Sequence, residues 1–319
     1  MPKKTINKFS VFVIFVVAGA AACHTGVVGS GEPPSFDRSG SPYDAPRVVG
    51  KLESDEITES SGIAVLRCQA DVLWTHNDSG DGPFIFAINS KGKPLGTWQV
   101  ANAKNVDWED IADFKDASGK CFLYIGELGN TDHNERAEHK IYRITEPTVH
   151  DSDSSSTRKA PIQTEPAEVL AFSYPDARQD AETLMVHPIT GDIYVVTKHR
   201  TTPAGVYKLK PVFDPAIVVK AEKITDLTVP TIPNGFLTGG DIAPDGKHMI
   251  ICDYFAGYEY TLPDGAASFD EIWKQRPIVV ELGKREQGEA IAYSADGLSL
   301  FATSEGKSAP LIEVKRRTQ

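Results

Sequence analysis

Basic residues are in short supply. The 319 residues hold 33 Lys and Arg against 44 Asp and Glu, a net charge of −11. Phosphate backbones need clustered Lys and Arg, so this balance excludes a nucleic-acid surface and suits a cation as partner. Cysteine is scarce too, at four. A nucleophile elbow, a zinc-ligand spacing and a phosphate-binding loop are all missing, which leaves no standard motif to declare an enzyme. What the chain has instead is 40% hydrophobic residues with 26 Gly and 21 Pro, enough for a large core of short strands joined by turns.

The first residues read as an address. Lys3, Lys4 and Lys8 precede "FSVFVIFVVAGAAAC", an apolar run that ends in small residues and is short for a membrane span. It resembles a bacterial lipoprotein signal, with 1–22 removed and Cys23 lipidated, although Ala20 stands where such signals usually carry leucine. A plain secretory signal and an uncleaved anchor are the alternatives. His24 is not the aspartate that retains lipoproteins at an inner membrane, so a two-membrane cell would carry this monomer on its outer membrane, touching lipid only through its N-terminus. Residues 23–46, rich in Gly, Ser and Pro, read as a flexible tether to a domain over 47–319.

A local pattern recurs along that domain. "ESSGIA", "DWEDIA", "DAETLM", "TGGDIA" and "QGEAIA" align on Ile63, Ile111, Leu184, Ile242 and Ile291, spaced 48, 73, 58 and 49 residues apart. The longest interval contains a polar stretch at 148–166, read as a surface insertion, and "SFDEIWKQ" (268 to 275) reads as a short helix. Each repeat supplies four strand-like runs, such as "SGIAVL", "VLWTHND", "FIFAIN" and "PLGTWQV"; the third and fourth end in "VVKAEKITDLTV" and "PIVVEL". The fifth repeat stops one strand short, and "RVVGKLE" (47 to 53) is spare at the other end. Four-stranded units closed by a strand from the opposite terminus describe an all-β, five-bladed β-propeller. Six blades is the alternative, with the extra one inside the long interval; a two-sheet sandwich explains neither the repeat nor the missing strand.

In a propeller the first strand of every blade lines the central channel. Counting back four residues from the aligned positions reaches Glu59, Asp107, Asp180, Thr238 and Gln287; counting back two reaches Ser61, Glu109, Glu182, Gly240 and Glu289, with Asp110 and Asp241 between. Strand alternation would turn both sets the same way, as two tiers around one mouth. The ends of the second strands reach that face as well, adding His76, Asn77, Asp78, Glu127, Asn130, Lys198, His199, Arg200, Asp253, Tyr254 and Glu305. Carboxylates at this density must be protonated, paired with Lys198, Arg200 or Arg136, or bound to a cation. Oxygen-only ligands suit calcium or magnesium, with Glu59, Asp107, Glu109, Glu182, Asp241 and Glu289 as the metal set. On the opposite face Cys68 and Cys121 occupy equivalent loops of adjacent repeats and are expected to form a disulfide; Cys252 reads as a buried thiol.

The phrases "LWTHNDSG", "DWEDIA", "YIGELGN" with "IYRITEP", "DAETLMV", "GDIYVVTK" and "QGEAIAYSADG" resemble a group of exported bacterial propeller proteins, mostly uncharacterised, across 57 to 305. More loosely the chain is similar to phytase-like and gluconolactonase-type propellers, in which axial carboxylate and Asn ligands hold a divalent metal. Where the close group usually has aspartates, this chain has Glu127 and Asn130. The looser kinship implies calcium as cofactor, no organic cofactor, and hydrolysis of a phosphate ester or lactone. His76, His199 and Asp78 would then be catalytic, with Asn77, Glu127, Asn130, Lys198, Arg200, Asp253, Tyr254 and Glu305 binding the ligand. Two other readings stand beside it: a non-catalytic propeller that binds a small molecule or protein at the cell envelope, and a carboxylate-based glycosidase.

Overall fold

The computed structural model describes residues 41–65, 67–130, 136–230 and 234–317. The expected signal at 1–22, the lipidation site Cys23 and most of the expected tether lie outside these. Five sheets, each with four antiparallel strands and an inner strand that carries one of the aligned positions, form a five-bladed β-propeller.

β1 (Arg47–Lys51) stands apart from the first blade, which comprises β2 (Ser60–Val65), β3 (Leu73–Asn77), β4 (Phe84–Ile88) and β5 (Pro94–Ala101). Blade 2 is β6 (Trp108–Lys115), β7 (Cys121–Glu127), β8 (His139–Thr145) and β10 (Glu168–Ser173). Blade 3 is β11 (Ala181–Val186), β12 (Ile193–Thr197), β13 (Ala204–Leu209) and β15 (Glu222–Leu227). Blade 4 is β16 (Gly239–Ile242), β17 (His248–Cys252), β18 (Ala256–Thr261) and β19 (Ile278–Glu281). Blade 5 is β20 (Gly288–Tyr293), β21 (Ser299–Ser304), β22 (Pro310–Lys315) and β1, which pairs antiparallel with β22, Arg47 opposite Glu313.

The core is five slabs of apolar side chains, one between each pair of neighbouring blades. Trp74, Trp98 and Trp108 fill the space between blades 1 and 2, and Tyr194, Met249 and Tyr258 that between blades 3 and 4. Because a middle strand faces a neighbour on both sides, its side chains are buried on both faces; every residue of β12, "IYVVT", is buried. This is why the runs read as continuously apolar rather than alternating. The Cys68–Cys121 disulfide links blade 1 to blade 2, with Cα atoms 6.2 Å apart, and Cys252 is a buried free thiol.

Three expectations change. The segment at 148–166 is no plain insertion: it makes a 3₁₀ turn at Asp151–Ser155 and then β9 (Ile162–Pro166), which pairs parallel to β5 as a fifth strand of blade 1. "VVKAEKITDLTV" divides into β14 (Val218–Lys220), which pairs parallel to β10 in blade 2, and β15. Both additions cover outer edges that would otherwise present unpaired N–H and C=O groups. Finally, the chain is docked before residue 47. Tyr43 is buried and its hydroxyl donates to Glu259, which also pairs with Arg316 and accepts from the Tyr293 hydroxyl at 2.8 Å. "SFDEIWKQ" forms a 3₁₀ helix over Phe269–Lys274.

Candidate functional site

The inner edge of each first strand faces the channel, so its N–H groups need partners there. Asp110 and Asp241 supply them. Asp110 accepts from Ile111 N–H at 2.8 Å and from Leu184 N–H of blade 3 at 2.9 Å. Asp241 accepts from Ile242 N–H at 2.7 Å and from Tyr293 N–H of blade 5 at 2.8 Å. These two acids tie the blades together at the channel waist. Asp241 therefore does not join the mouth acids: it occupies the position equivalent to Asp110, one residue off the Glu109 series, and points the other way.

At the mouth the simple alternation fails, because the first strands bulge. Pairing slips between Ser60 and Gly62, Trp108 and Ile111, Ala181 and Thr183, and Gly288 and Ile291, while β16 pairs regularly. Glu109, Glu182 and Glu289 lie at these bulges, a device that re-aims side chains. Oxygens of Asp78, Asp107 and Glu109 lie within 4.8 Å of one another, and so do those of Glu109, Asp180 and Glu182. Gly129 permits this approach, since a Cβ there would sit 2.1 Å from Glu109 Oε1.

Two cations are built into the ring. Lys198 Nζ lies 2.7 Å from Glu182 and 3.7 Å from Glu289, beneath the rings of Phe236 and Tyr254 at 4.7 and 5.4 Å. Arg136 pairs with Glu127 and lies 3.9 Å from Asp107. They do not neutralise the set. Burial first, then the charges of Glu182, Asp78 and Asp107, push the Glu109 carboxyl well above its usual range. Burial pushes Glu182 up to about 8 against the pull of Lys198, and Glu289 up to about 8 likewise. Glu289 also hydrogen-bonds Glu305, and Gln287 donates to it at 3.3 Å. Glu59 is exposed at the rim, bridged through its backbone to Glu305.

Several expected ligand residues are consumed by the scaffold. Asn77 accepts from Thr58 and Glu59 N–H and donates to Glu56 and Asp81. Glu127 accepts from Val106 and Asp107 N–H at 3.0 and 2.9 Å, so it holds the Asp107 loop rather than a ligand. Asn130 donates its N–H to Asp180 at 2.8 Å and accepts from Arg136 N–H. Asp253 caps the β17–β18 turn, accepting from Phe255 and Ala256 N–H and the Tyr258 hydroxyl. His76 is fully buried edge-on to Trp108 between blades 1 and 2, and burial lowers its pKa to about 4, so it stands away from the mouth. His199 is half-buried with Nε2 3.1 Å from Gln179. Arg200 is exposed, 5.5 Å from the Phe236 ring.

Phe236 was not visible as a site residue in the sequence; it sits in "NGFLTGG", which carries no periodic signal. The chain matches no protein-family model, and no curated protein matches its sequence. Among solved structures it is similar to a luciferin-regenerating enzyme, at a TM-score of 0.45 and 9% identity over 85% of this chain and 95% of that one.

Proposed function

We propose that the mouth binds a divalent cation, calcium before others, and uses it to hydrolyse a phosphate ester or lactone outside the cytoplasm. The observation behind this reading is that Glu109 belongs to two groups of converging carboxylates at once. At an effective dielectric of about 20, two unit charges 4.8 Å apart repel by about 3.5 kcal/mol, so three ionised acids cannot stand bare. Lys198 occupies Glu182 and Glu289, so the donor set would centre on Glu109, with Asp78 on one side, Asp180 on the other, and Asp107 held near Arg136. All are carboxylate oxygens, which fit calcium or magnesium and not zinc.

A bound cation would polarise an ester or phosphoryl oxygen and acidify a water. Around it Glu127 and Arg136 would fix the Asp107 loop, and Glu289 would hold a proton within reach of the mouth. Lys198 would hold Glu182 in place at the edge of that group. His199 stands closer to this chemistry than His76 and replaces it as the candidate proton carrier.

Calcium should raise the melting temperature of the wild type and a chelator should lower it, because a ligand of the folded state alone stabilises it. Glu109→Gln keeps size, removes the shared charge, and should abolish the response. If calorimetry and melting detect no divalent ion, the cation reading fails and the non-catalytic binding propeller takes its place. Lipid attachment at Cys23 belongs to the same reading; labelled palmitate should enter the wild type and not Cys23→Ala.

A further inference from the structure

Phe236 and Tyr254 meet beside Lys198 on the blade 3 and blade 4 side of the mouth, and Phe255 follows Tyr254 in the same turn. Their turn is fastened from within. The Asp253 carboxylate accepts from Phe255 and Ala256 N–H, both at 2.8 Å, and from the Tyr258 hydroxyl at 2.7 Å, while Arg285 donates to the Asp253 carbonyl at 2.9 Å. Tyr254 then meets Phe236 edge to face, with centroids 5.0 Å apart, and Phe255 is left 63% exposed. A rigid turn that holds a phenylalanine in water beside a polar cleft is an arrangement suited to a ligand.

The neighbouring groups select its chemistry. Lys198 donates hydrogen bonds, and the carboxyls of Glu182, Glu289 and Glu305 accept them or, when protonated, donate them, so a ligand lying against this wall needs groups that do both. An organic cation would donate, but Lys198 and Arg200 already stand over the Phe236 ring at 4.7 and 5.5 Å and would repel it. A planar apolar ring neither donates nor accepts hydrogen bonds, so it would offer the acids and Lys198 nothing. A neutral ring with a C–H face and hydroxyls around its edge satisfies both walls.

We propose that Phe236, Tyr254 and Phe255 form a subsite for a saccharide ring, stacked on the aromatic rim with hydroxyls directed to Glu182, Glu289 and Lys198. This deepens the reading of the mouth as a ligand site and does not depend on the cation. Chitotriose, cellotriose and maltotriose, titrated into the protein and followed by calorimetry and saturation-transfer NMR, test it. At least one should bind saturably. Phe255→Ser, at an exposed position, should weaken that binding tenfold or more while leaving the melting temperature and any calcium response unchanged, and Phe236→Leu should weaken it as well. Absence of saturable binding by all three sugars, or wild-type affinity in Phe255→Ser, overturns the inference. Tighter binding of choline than of any sugar overturns it in favour of a cation cage. Loss of sugar binding with the calcium response intact, or the reverse, tells failure of this inference from failure of the cation reading.

Discussion

Replacing Asp110 with alanine should loosen the whole ring, although the residue lies in the channel and carries no sheet pairing of its own. Its carboxylate accepts from two backbone N–H groups, one on its own blade 2 and one on blade 3. A buried donor left without a partner costs about 1–3 kcal/mol, which gives about 2–6 kcal/mol for two. Two effects reduce this. Burial drives Asp110 well above its usual pKa, so removing it also removes a group that resists desolvation. Water entering the vacated space can serve some of the amides. A loss of about 2–4 kcal/mol is expected, or about 4–16 °C in melting temperature at roughly 2–4 °C per kcal/mol. Differential scanning calorimetry with urea melts reads it directly. Asp110→Asn, which keeps one acceptor oxygen, should fall between alanine and wild type. Alanine within about 1 kcal/mol of wild type would mean that the inner strand edges are satisfied some other way.

Glu259→Gln should cost about 2–3 kcal/mol, because it leaves the half-buried Arg316 beside an uncharged group and weakens two tyrosine hydrogen bonds; an unchanged urea midpoint would show that this cluster does not hold the ring closed. Stability should also fall as pH rises. Between about 4.5 and 8 the folded protein keeps protons on Glu182 and Glu289 that the unfolded chain has released, so the melting temperature should drop by several degrees across that window. The double variant Glu182→Gln, Glu289→Gln should flatten the slope, and a melting temperature that climbs from pH 5 to 8 would contradict the assignment.

The ring and its closure were legible because they rest on apolar spacing. Ile63, Ile111, Leu184, Ile242 and Ile291 all fall on inner strands, and the spare run at 47 to 53 contains the strand that completes the last blade. The Cys68–Cys121 bond followed from the same alignment. β9 and β14 were not legible as separate fifth strands: "IQTEP" and "VVK" are too short and polar at their edges to show a period. At the mouth, residue type was informative and direction was not. A bulge adds a residue without changing the apolar pattern, so it hides from any count of alternation. Asp241, by contrast, lies one residue off the Glu109 series on a strand that pairs regularly, so alternation alone separates it. Nor does a sequence show which polar groups the backbone has already claimed, as it has claimed Asn77, Glu127 and Asp253.

The pairing of Arg47–Lys51 with Pro310–Lys315 has a consequence in time as well as in space. Among the earliest residues of the described domain, these wait for a partner that is synthesised near its end, so no ring exists until almost the whole domain has been made. Until then β22 and β1 are each an open edge, free to pair with another chain. Contacts this distant in sequence also make for slow closure. A rearranged chain that begins between two other blades, with the old ends joined, would carry β1 and β22 as near neighbours and should close its last blade without that wait.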